Sequence, residues 1–507
     1  MRPQQPFQGA IRALFDVFAD AGAELYLVGG AVRDLALGAT VVDLDDLDFA
    51  TSARPDQTLA LLKAHRYRTY AMGIEFGTVG AVLKGPRHKG FPKDVQITTY
   101  RSGEYYRRGS RHPVVQFGDT LDQDLKRRDF SINSIAMDAD GNYVDPYDGL
   151  GDIGRRVLRI VGDPDETLAE DPLRILRVGR FMAKLGFEPT TALEQAAWRQ
   201  ASYILDISRQ RWLQEMNKLV FGPHVAEALR FLSRVRLLGL ILPELAALVD
   251  LQRRSPFGPV HADLWSQTLT RVELAGHDRT LSWTALLADT GRPWTRMMTH
   301  PQISPTGPEL AGLTPEGSPL EPSEGVEVSF ERHAVLSGLL FKGITRRFHF
   351  DNESADQIAF LLEHQEAALD YHDGQSDAWI RHFVRDMSGH HTQLIALARC
   401  LQRADGRSPD VDLDAFEARI EALAATGDLV PSLPKGLGSS LIKQLAIPPG
   451  PGLGDVIDWL TEEIIAGRVK SDQSPEVYIA HLEAHTPDVL TQARNSAGPS
   501  RHGKPEI

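Results

Sequence analysis

LVGGAVRDLALG, residues Leu27–Gly38, is the stretch that decides the fold of this chain of 507 residues. The apolar run Leu25–Val28 predicts a short strand, and AVRDLAL predicts a helix that the last glycine of the stretch ends. Between them, Gly29 and Gly30 allow a tight turn and a close approach to a ligand, because neither residue carries a Cβ atom. A strand, a glycine turn and a helix N-terminus together form a cradle for phosphate, and Arg33 can add a charged fork to it.

An acidic segment, DDLDFATSA at residues 45–53, follows this cradle. Residues two apart in a strand share a face, so Asp46 and Asp48 point the same way. Two carboxylates roughly 6–7 Å apart along a strand, from the rise per residue, can hold Mg²⁺ beside a triphosphate. Asp43 and Asp45 are rival carboxylates of the opposite parity, and spacing alone leaves the choice of pair open.

Length and composition indicate a multidomain cytoplasmic protein. A chain of 507 residues with 42% hydrophobic and 24% charged residues is typical of several globular domains. No apolar run reaches the length of about 20 residues that a membrane span needs, and the N-terminal segment lacks the apolar core of a signal peptide. The single cysteine, Cys400, excludes intrachain disulfides and a cysteine-rich zinc site. The net charge of −13 argues against a protein that coats nucleic acid without specificity. Local clusters of basic residues still allow RNA binding.

The glycine turn and the acidic segment together carry a family resemblance. GGAVRDLALG followed by DLDFAT resembles the head motif of the class II tRNA nucleotidyltransferase and poly(A) polymerase family, whose head is polymerase-beta-like. The resemblance implies that Asp46 and Asp48 are the catalytic pair that binds the metal. It also implies that Gly29, Gly30 and Arg33 bind the nucleotide.

Two later head segments extend the resemblance. DLKRRDFSINSIAMD, Asp124–Asp138, is similar to the family motif RRDFTINALA, in which Arg128 can neutralise a triphosphate and Asp129 and Asn133 can hydrogen-bond a ribose. The alternative interpretation is a helix that the aspartate caps before an apolar run. DPYDGLGDI, Asp145–Ile153, resembles DPxxGxxDL and predicts a turn that links the head to the helices beyond it.

A basic helix follows at EDPLRILRVGRFMAKLGF, Glu170–Phe187. An aspartate before a proline is typical of a helix start, and on composition alone the arginines that follow form a solvated basic face. EDPLRILR also resembles the family's EDxxR motif, which reads the edge of a base. The match implies that Asp171 and Arg174 select C and A, and that Arg177 and Arg180 hold phosphates.

The sequence departs from the family pattern in two places. In DVQITTYR, Gln96 stands where the family has a glutamate, and Asp94 shares its strand parity. SGEYYRRGSRHPVVQF resembles the family's flexible loop, and its Arg111 is expected to bind RNA, but Gly109 replaces the usual aspartate. Both departures bear on whether the chain makes a full CCA end.

The region after about residue 223 resembles an HD phosphohydrolase domain that has lost ligands. Gln267 and Ala288 stand at two metal-ligand positions, whereas Asp289, His333 and His364 fit the others. Because such a centre needs several ligands at once, we expect a structural domain without phosphohydrolase activity.

The neck and tail carry looser matches. ISRQRWLQEMNKLVFG resembles the neck motif, in which Glu215 and Lys218 are expected to brace the helices. The helical segment around IPPGP resembles the tail of bacterial members, and Lys435 and Lys443 are expected to bind RNA backbone.

The expected fold class is α+β, with a mixed sheet and helices in the head and only helices after it. The expected divisions are a head at 1–154, a neck at 155–222, a body at 223–388 with a mobile insertion near 300–325, a tail at 389–494 and a disordered end at 495–507.

The expected activity is template-independent addition of C and A to the 3′ end of tRNA, with CTP and ATP as substrates, Mg²⁺ as cofactor and pyrophosphate as product. No membrane association and no obligate protein partner are expected. The alternatives are an enzyme that adds only CC or only A, a poly(A) polymerase, a non-catalytic RNA-binding protein and, for the HD-like part, an active phosphohydrolase.

Overall fold

The structure is a computed structural model, and it divides the chain into two compact units, Met1–Ala359 and Phe360–Ile507. It describes residues 7, 9–44, 46–70, 73–83, 94–106, 113–253, 264–276, 278–295, 297–299, 327–405, 412–426, 429, 432–486 and 493. The division lies inside the predicted body, and the predicted head and neck both belong to the first unit. The boundaries at 154, 222 and 388 stay predictions. The predicted insertion and disordered end lie outside the described residues.

A seven-stranded mixed sheet forms the head. The strands of the head are β1 (Leu25–Val28), β2 (Leu47–Thr51), β3 (Arg68–Tyr70), β4 (Thr78–Val82), β5 (Asp94–Thr99), β6 (Arg101–Tyr106), β7 (Pro113–Phe117), β8 (Ala136–Met137) and β9 (Tyr143–Val144). The sheet order is β3-β4-β5-β2-β1-β8-β9, in which β2 and β5 are parallel and the other neighbours are antiparallel. β6 and β7 pair separately as a hairpin.

Among the described residues of the head, five helices accompany this sheet: α1 (Gly9–Asp20), α2 (Gly30–Ala36), α3 (Pro55–Ala64), α4 (Leu121–Lys126) and α5 (Gly149–Arg155). Short 3₁₀ turns lie at Val41–Asp43, Ile74–Phe76 and Ser131–Asn133. α1 buries Ile11, Leu14, Phe15 and Phe18, which recur at helical spacing and form one apolar stripe. Phe15 meets the ring of Phe49 on β2 edge-on at 5.5 Å, so this stripe anchors α1 on the sheet.

The register of β2 sets the orientation of the acidic segment. Leu27 of β1 pairs with Phe49, and Asp48 pairs with Gln96 of β5. Leu47 and Phe49 are buried, whereas Asp48 between them is exposed. The alternation of buried and exposed positions holds over Leu47–Phe49 and ends at Ala50, which is buried.

Where the structure describes it, the rest of the first unit is helical apart from two short strand pairs. Its helices are α6 (Pro164–Glu170), α7 (Leu173–Leu185), α8 (Thr191–Gln200), α9 (Arg209–Val220), α10 (Val225–Arg234), α11 (Leu237–Ile241), α12 (Pro243–Arg253), α13 (Leu264–Ala275), α14 (Arg279–Leu287), α15 (Arg292–Thr295) and α16 (His333–Phe348), with a 3₁₀ turn at Ala201–Asp206; α17 (Asn352–Glu363) contains the division between the units. β10 (Val157–Leu158) pairs with β11 (Glu188–Pro189), and β12 (Met297–Thr299) pairs with β13 (Glu327–Ser329). The fold class α+β is confirmed, but the expectation of helices alone after the head is wrong at these pairs, where extended segments distant in sequence satisfy each other's backbone groups.

The described residues of the second unit form helices with apolar cores of their own. Its helices are α18 (Asp377–Asp386), α19 (His391–Asp405), α20 (Leu413–Ala425), α21 (Leu437–Leu445), α22 (Pro451–Ile465) and α23 (Pro475–His485), with a 3₁₀ turn at Ala367–Asp370. One core stacks Tyr371 on Phe416 at 4.3 Å, and another packs Leu441 and Leu460 with Tyr478. Among the helices that the structure describes, none has the length and apolar character needed to cross a membrane.

Candidate active site

The glycine turn between β1 and α2 has the predicted strand–turn–helix geometry. Gly29 has φ +74°, in the region that favours glycine, and α2 begins at Gly30. A Cβ atom on Gly29 would stand 2.9 Å from Nη1 of Arg128. The backbone conformation therefore favours glycine at this position, and a Cβ atom would also displace the guanidinium of Arg128.

The acidic pair lies beside this turn and is open to solvent. Asp46 and Asp48 are both exposed. The surrounding protein raises the pKa of Asp48, and Asp46 raises it further, while Arg128 lowers it. Asp48 is therefore exposed, yet near enough to surrounding protein for its ionised form to be disfavoured. A divalent cation would relieve the repulsion between the two carboxylates.

One rival carboxylate has another use. Asp43 accepts hydrogen bonds from the backbone N–H of Thr40 at 2.8 Å and from its hydroxyl at 2.6 Å. These bonds close a capping box on the 3₁₀ turn and lower the pKa of Asp43. The geometry therefore favours Asp46 and Asp48 over Asp43, and Asp45 lies outside the described residues.

Gln96 is the next neighbour of the pair on the sheet. The parallel register places it beside Asp48, and Asp94 lies two residues away on the same exposed face. An amide provides an oxygen ligand without charge. Within the described ranges, no group of three or more His, Cys, Asp or Glu side chains could hold a metal. Two aspartates still fit Mg²⁺, which usually binds one or two carboxylates together with substrate phosphates and water.

Arg128 lies over the glycine turn and is anchored from behind. Its Nη2 donates to Oδ2 of Asp124 at 2.9 Å, and the neighbouring Arg127 donates to Oδ1 at 2.8 Å. Its charge also acts on Asp48. The structure thus brings the predicted phosphate ligand, the glycine turn and the acidic pair together at one place.

Arg33 leads into a buried polar network. Its side chain is only 3% exposed, and its Nη1 donates to Oδ1 of Asn133 at 2.7 Å. Asn133 donates to Asp129 at 3.0 Å, and Arg177 of α7 forms an ion pair with Asp129 at 2.5 Å. Burial would raise the pKa of Asp129, but Arg177 and Asn133 outweigh it and lower the pKa. The network connects α2 and the segment Asp124–Asp138 (the RRDF segment) to α7.

The RRDF segment is not the capped helix of the alternative interpretation. Residues Ser131–Asn133 form a 3₁₀ turn, and Ala136–Met137 form strand β8. The carboxylate of Asp129 accepts from the backbone N–H of Phe130 at 2.9 Å instead of capping a helix. The next segment, predicted as a turn, contains helix α5, and Asp145 accepts hydrogen bonds from two backbone N–H groups in its first turn.

The two predicted base-reading residues have separate partners. Asp171 accepts from the backbone N–H of Leu173 at 3.2 Å and from Arg211 of α9 at 2.9 Å. Arg174 donates to the carbonyl oxygens of Thr167 at 3.1 Å and Arg127 at 3.3 Å. In the part of the chain that the structure describes, no hydrogen bond or ion pair joins the side chains of Asp171 and Arg174, although the backbone N–H of Arg174 donates to the carbonyl oxygen of Asp171 at 3.0 Å. Asp171 therefore combines a capping contact with a link to α9.

Two charged residues of α9 face different partners. Glu215 accepts from Arg180 at 3.2 Å, which supports the predicted bracing role. Lys218 is exposed, and its pKa is lowered by partial burial and by Arg180, while Glu215 and Asp46 act in the opposite direction. The influence of Asp46 indicates that Lys218 and the acidic pair share one electrostatic environment.

The predicted RNA-binding residues are only partly described. Lys435 and Lys443 are exposed near the two ends of α21. Arg111 and Gly109 lie outside the described residues.

Three positioning side chains were not singled out from the sequence. Asp124 holds two arginines, Arg211 holds Asp171, and buried Asp152 accepts from the hydroxyl of Ser131 at 2.5 Å. The first had a local signal, because Asp124 stands three and four residues before two arginines at the end of a helix. The contacts of Arg211 with Asp171 and of Asp152 with Ser131 join residues distant in sequence, and no local pattern identifies them, although Asp152 also pairs with Arg155 three residues on.

In the region that resembles an HD domain in sequence, an arginine lies beside Asp289. Asp289 and Arg271 are each 1% exposed and form an ion pair, and Arg292 adds a second contact to Asp289 at 2.6 Å. His333 is buried nearby, whereas His364 belongs to the second unit. Burial would raise the pKa of Asp289, but the two arginines lower it to about 2. A guanidinium thus provides the positive charge next to this carboxylate.

Two family models match the first unit. Residues 25–159 match the poly A polymerase head domain, and residues 186–248 match the probable RNA and SrmB-binding site of polymerase A. The first range contains the glycine turn, the acidic pair and Arg128. This part of the chain is therefore similar to a poly A polymerase head domain.

Known relatives narrow the class further. The chain is 38% identical to the CCA-adding enzyme of Geobacillus thermodenitrificans over 255 residues, which are 50% of this chain and 59% of that enzyme. It is 38% identical to the Bacillus subtilis CCA-adding enzyme over 221 residues, 44% of this chain and 52% of that enzyme. The matches thus span less than two thirds of these relatives. Over the matched part of its length, the chain is similar to the class II tRNA nucleotidyltransferase and poly(A) polymerase family.

Solved structures share the fold over greater lengths. The crystal structure of the Bacillus stearothermophilus CCA-adding enzyme in complex with CTP matches with a TM-score of 0.62 and 25% identity, covering 98% of this chain and 100% of that one. The Thermotoga maritima CCA-adding enzyme complexed with tRNA matches with a TM-score of 0.53 and 18% identity, covering 93% and 94%.

Proposed function

We propose that the chain adds C and A nucleotides to the 3′ end of tRNA, using CTP and ATP and releasing pyrophosphate. The observation that carries this proposal is the meeting of Asp46 and Asp48 with a glycine turn and Arg128 in one site. The relatives named as CCA-adding enzymes, and the CTP complex of one of them, support the nature of the product and the substrate.

Mg²⁺ is the proposed cofactor, and Asp46 and Asp48 are its proposed ligands. When bound, the metal supplies an activated RNA 3′-hydroxyl and charge neutralisation at the leaving pyrophosphate. The protein's own part is to orient the substrates. Arg128 neutralises the triphosphate, and the backbone of Gly29 and Gly30 lets the phosphates approach closely.

The buried network gives the other proposed nucleotide-binding residues a more precise role. Because Arg33 is buried and bound to Asn133, it shapes the floor of the site instead of reaching out to phosphate. Asp129 and Asn133 remain the proposed ribose ligands, and Arg177 and Arg180 the proposed phosphate ligands. Asp171 and Arg174 are proposed to read the base, while the backbone and shape of tRNA are bound by residues that include Arg111, Lys435 and Lys443.

The decisive experiment sequences the 3′ ends of RNA after incubation with the full chain and Mg²⁺. The substrates are tRNA that lacks CCA, tRNA that ends in CC, and an unrelated RNA, each with CTP, ATP or both. A complete CCA end on the first tRNA is the expected result. Stopping after CC, adding only the last A, or tailing the unrelated RNA would each identify one of the alternative enzymes. No incorporation at all would favour a non-catalytic RNA-binding protein.

Replacing Asp171 with alanine is expected to weaken selection of C and A over U and G. Loss of one buried polar partner costs about 1–3 kcal/mol, which is roughly one to two powers of ten in rate. The measurement compares kcat/KM for all four nucleoside triphosphates on the same tRNA, and Arg174→Ala should act alike.

A capping variant serves as the matched control for Asp171. Asp163 caps α6 through the backbone N–H groups of Asp165 and Glu166. Asp163→Ala should lower the melting temperature and leave the nucleotide preference intact. If Asp171→Ala behaves in the same way, Asp171 is only a structural residue.

A further inference from the structure

Asp124 is a buried carboxylate that has no direct role in the proposed nucleotide addition. Its side chain is 1% exposed. Its Oδ1 accepts from Nε and Nη2 of Arg127 at 3.2 and 2.8 Å and from the backbone N–H of Arg101 at 3.2 Å. Its Oδ2 accepts from Nε and Nη2 of Arg128 at 3.3 and 2.9 Å. One carboxylate therefore orients two guanidinium groups at once.

The bond pattern leaves one nitrogen of Arg128 for another partner. Nε and Nη2 point at Asp124, whereas Nη1 lies 2.9 Å from the place where a Cβ atom on Gly29 would stand. The described part of the chain offers Nη1 no hydrogen-bond acceptor. The free edge of the guanidinium therefore faces the turn at which a phosphate would approach.

We propose that Asp124 is a positioning residue that holds Arg128 so that Nη1 is presented to the β- and γ-phosphates of the incoming nucleoside triphosphate. This inference rests on the proposed function. Without the anchor, the long side chain of Arg128 samples many rotamers, and the ligand must order it on binding. The loss falls on triphosphate affinity, because Asp124 itself touches neither base nor ribose.

The test measures binding of CTP and CMP to the full chain by calorimetry in the presence of Mg²⁺. Asp124→Asn keeps the shape of the side chain but removes its charge, and it is expected to weaken CTP binding about tenfold, as for the loss of a hydrogen bond to a charged group. CMP, which lacks the β- and γ-phosphates, should bind as it does to wild type. Asp122→Asn is the matched control, since Asp122 is an exposed residue of the same helix that accepts from Tyr147. It should change neither affinity.

A second pair of variants tests whether Asp124 acts through Arg128. Arg128→Met and the double variant with Asp124→Asn should bind CTP equally weakly. If Asp124→Asn does not fold, Arg128→Lys replaces it. Lysine keeps the charge, but its single ammonium group lacks the two separate edges with which a guanidinium can bind Asp124 and a phosphate at once. A folded Arg128→Lys protein should again lose affinity for CTP and keep it for CMP.

Three outcomes would overturn the positioning role alone: unchanged CTP affinity in Asp124→Asn, equal weakening of CTP and CMP, or additive effects in the double variant. Wild-type protein that binds neither CTP nor ATP would overturn the proposed function, and this inference with it.

Discussion

Asp48→Asn is expected to reduce nucleotide addition by about a thousandfold or more, which corresponds to roughly 4 kcal/mol of activation free energy. The amide keeps the shape of the side chain but loses the charge that holds a divalent cation. The melting temperature should stay the same or rise, because the raised pKa of Asp48 means that its ionised form is disfavoured in the folded state. Extension of end-labelled tRNA and thermal unfolding measure the two effects, and Asp46→Asn should give the same loss of activity.

Asp43→Asn is the matched control for this prediction. Asp43 belongs to the same acidic segment, but its carboxylate caps the 3₁₀ turn through Thr40. The variant should keep its activity while losing some thermal stability, because the lowered pKa shows that the ionised form is favoured in the fold. Mg²⁺-dependent activity near the wild-type level in Asp48→Asn, with loss in Asp43→Asn, would show that the wrong pair was chosen.

Asp289→Ala is expected to destabilise the protein by about 3–5 kcal/mol, because it leaves the guanidinium of Arg271 buried without its counter-charge. Nε and Nη1 of Arg271 have no hydrogen-bond acceptor among the described residues, so the ion pair with Asp289 is the main compensation for burial. A fall in melting temperature of roughly 10 °C should follow. Nucleotide addition below that temperature should persist, since this cluster lies outside the candidate active site.

Two further variants separate the ion pair from packing. The double variant Arg271→Met with Asp289→Leu should recover most of the lost stability, because an apolar pair needs no charge compensation. Arg292→Met should cost less than Asp289→Ala, since the side chain of Arg292 is partly exposed and was never fully desolvated. A loss in Asp289→Ala no larger than that in Arg292→Met would contradict the account.

The strand, glycine turn and helix at the start of the head could be predicted because each depends on residues close in sequence. The apolar run stops at Val28, and the glycines allow the turn that follows. The choice of Asp48 over Asp43 needed the family resemblance at first, since both are carboxylates on an acidic segment. Only the structure supplied a physical reason, which is the capping contact of Asp43 with Thr40.

Long-range partners explain what the sequence could not reveal. Arg33 suggests a phosphate ligand, but its burial depends on Asn133, which lies 100 residues away in the chain. Likewise, no local pattern shows that Asp129 pairs with Arg177 of α7, and helix capping was a reasonable alternative until that partner was known. Asp124 differs, because its spacing from two arginines was visible, and what the sequence lacked was the position of Gly29 next to Arg128.

The buried pair of Arg271 and Asp289 also bears on how this chain can evolve. Histidines placed at positions 267 and 288 would not by themselves create a metal centre. Such a centre would also need the carboxylate of Asp289, and the guanidinium of Arg271 already binds it. Position 288 is also fully buried, so a larger side chain there has to displace its neighbours. Removing Arg271 first would leave Asp289 with only its partly exposed contact to Arg292. Each single substitution toward such a metal centre therefore costs stability before it creates any metal binding.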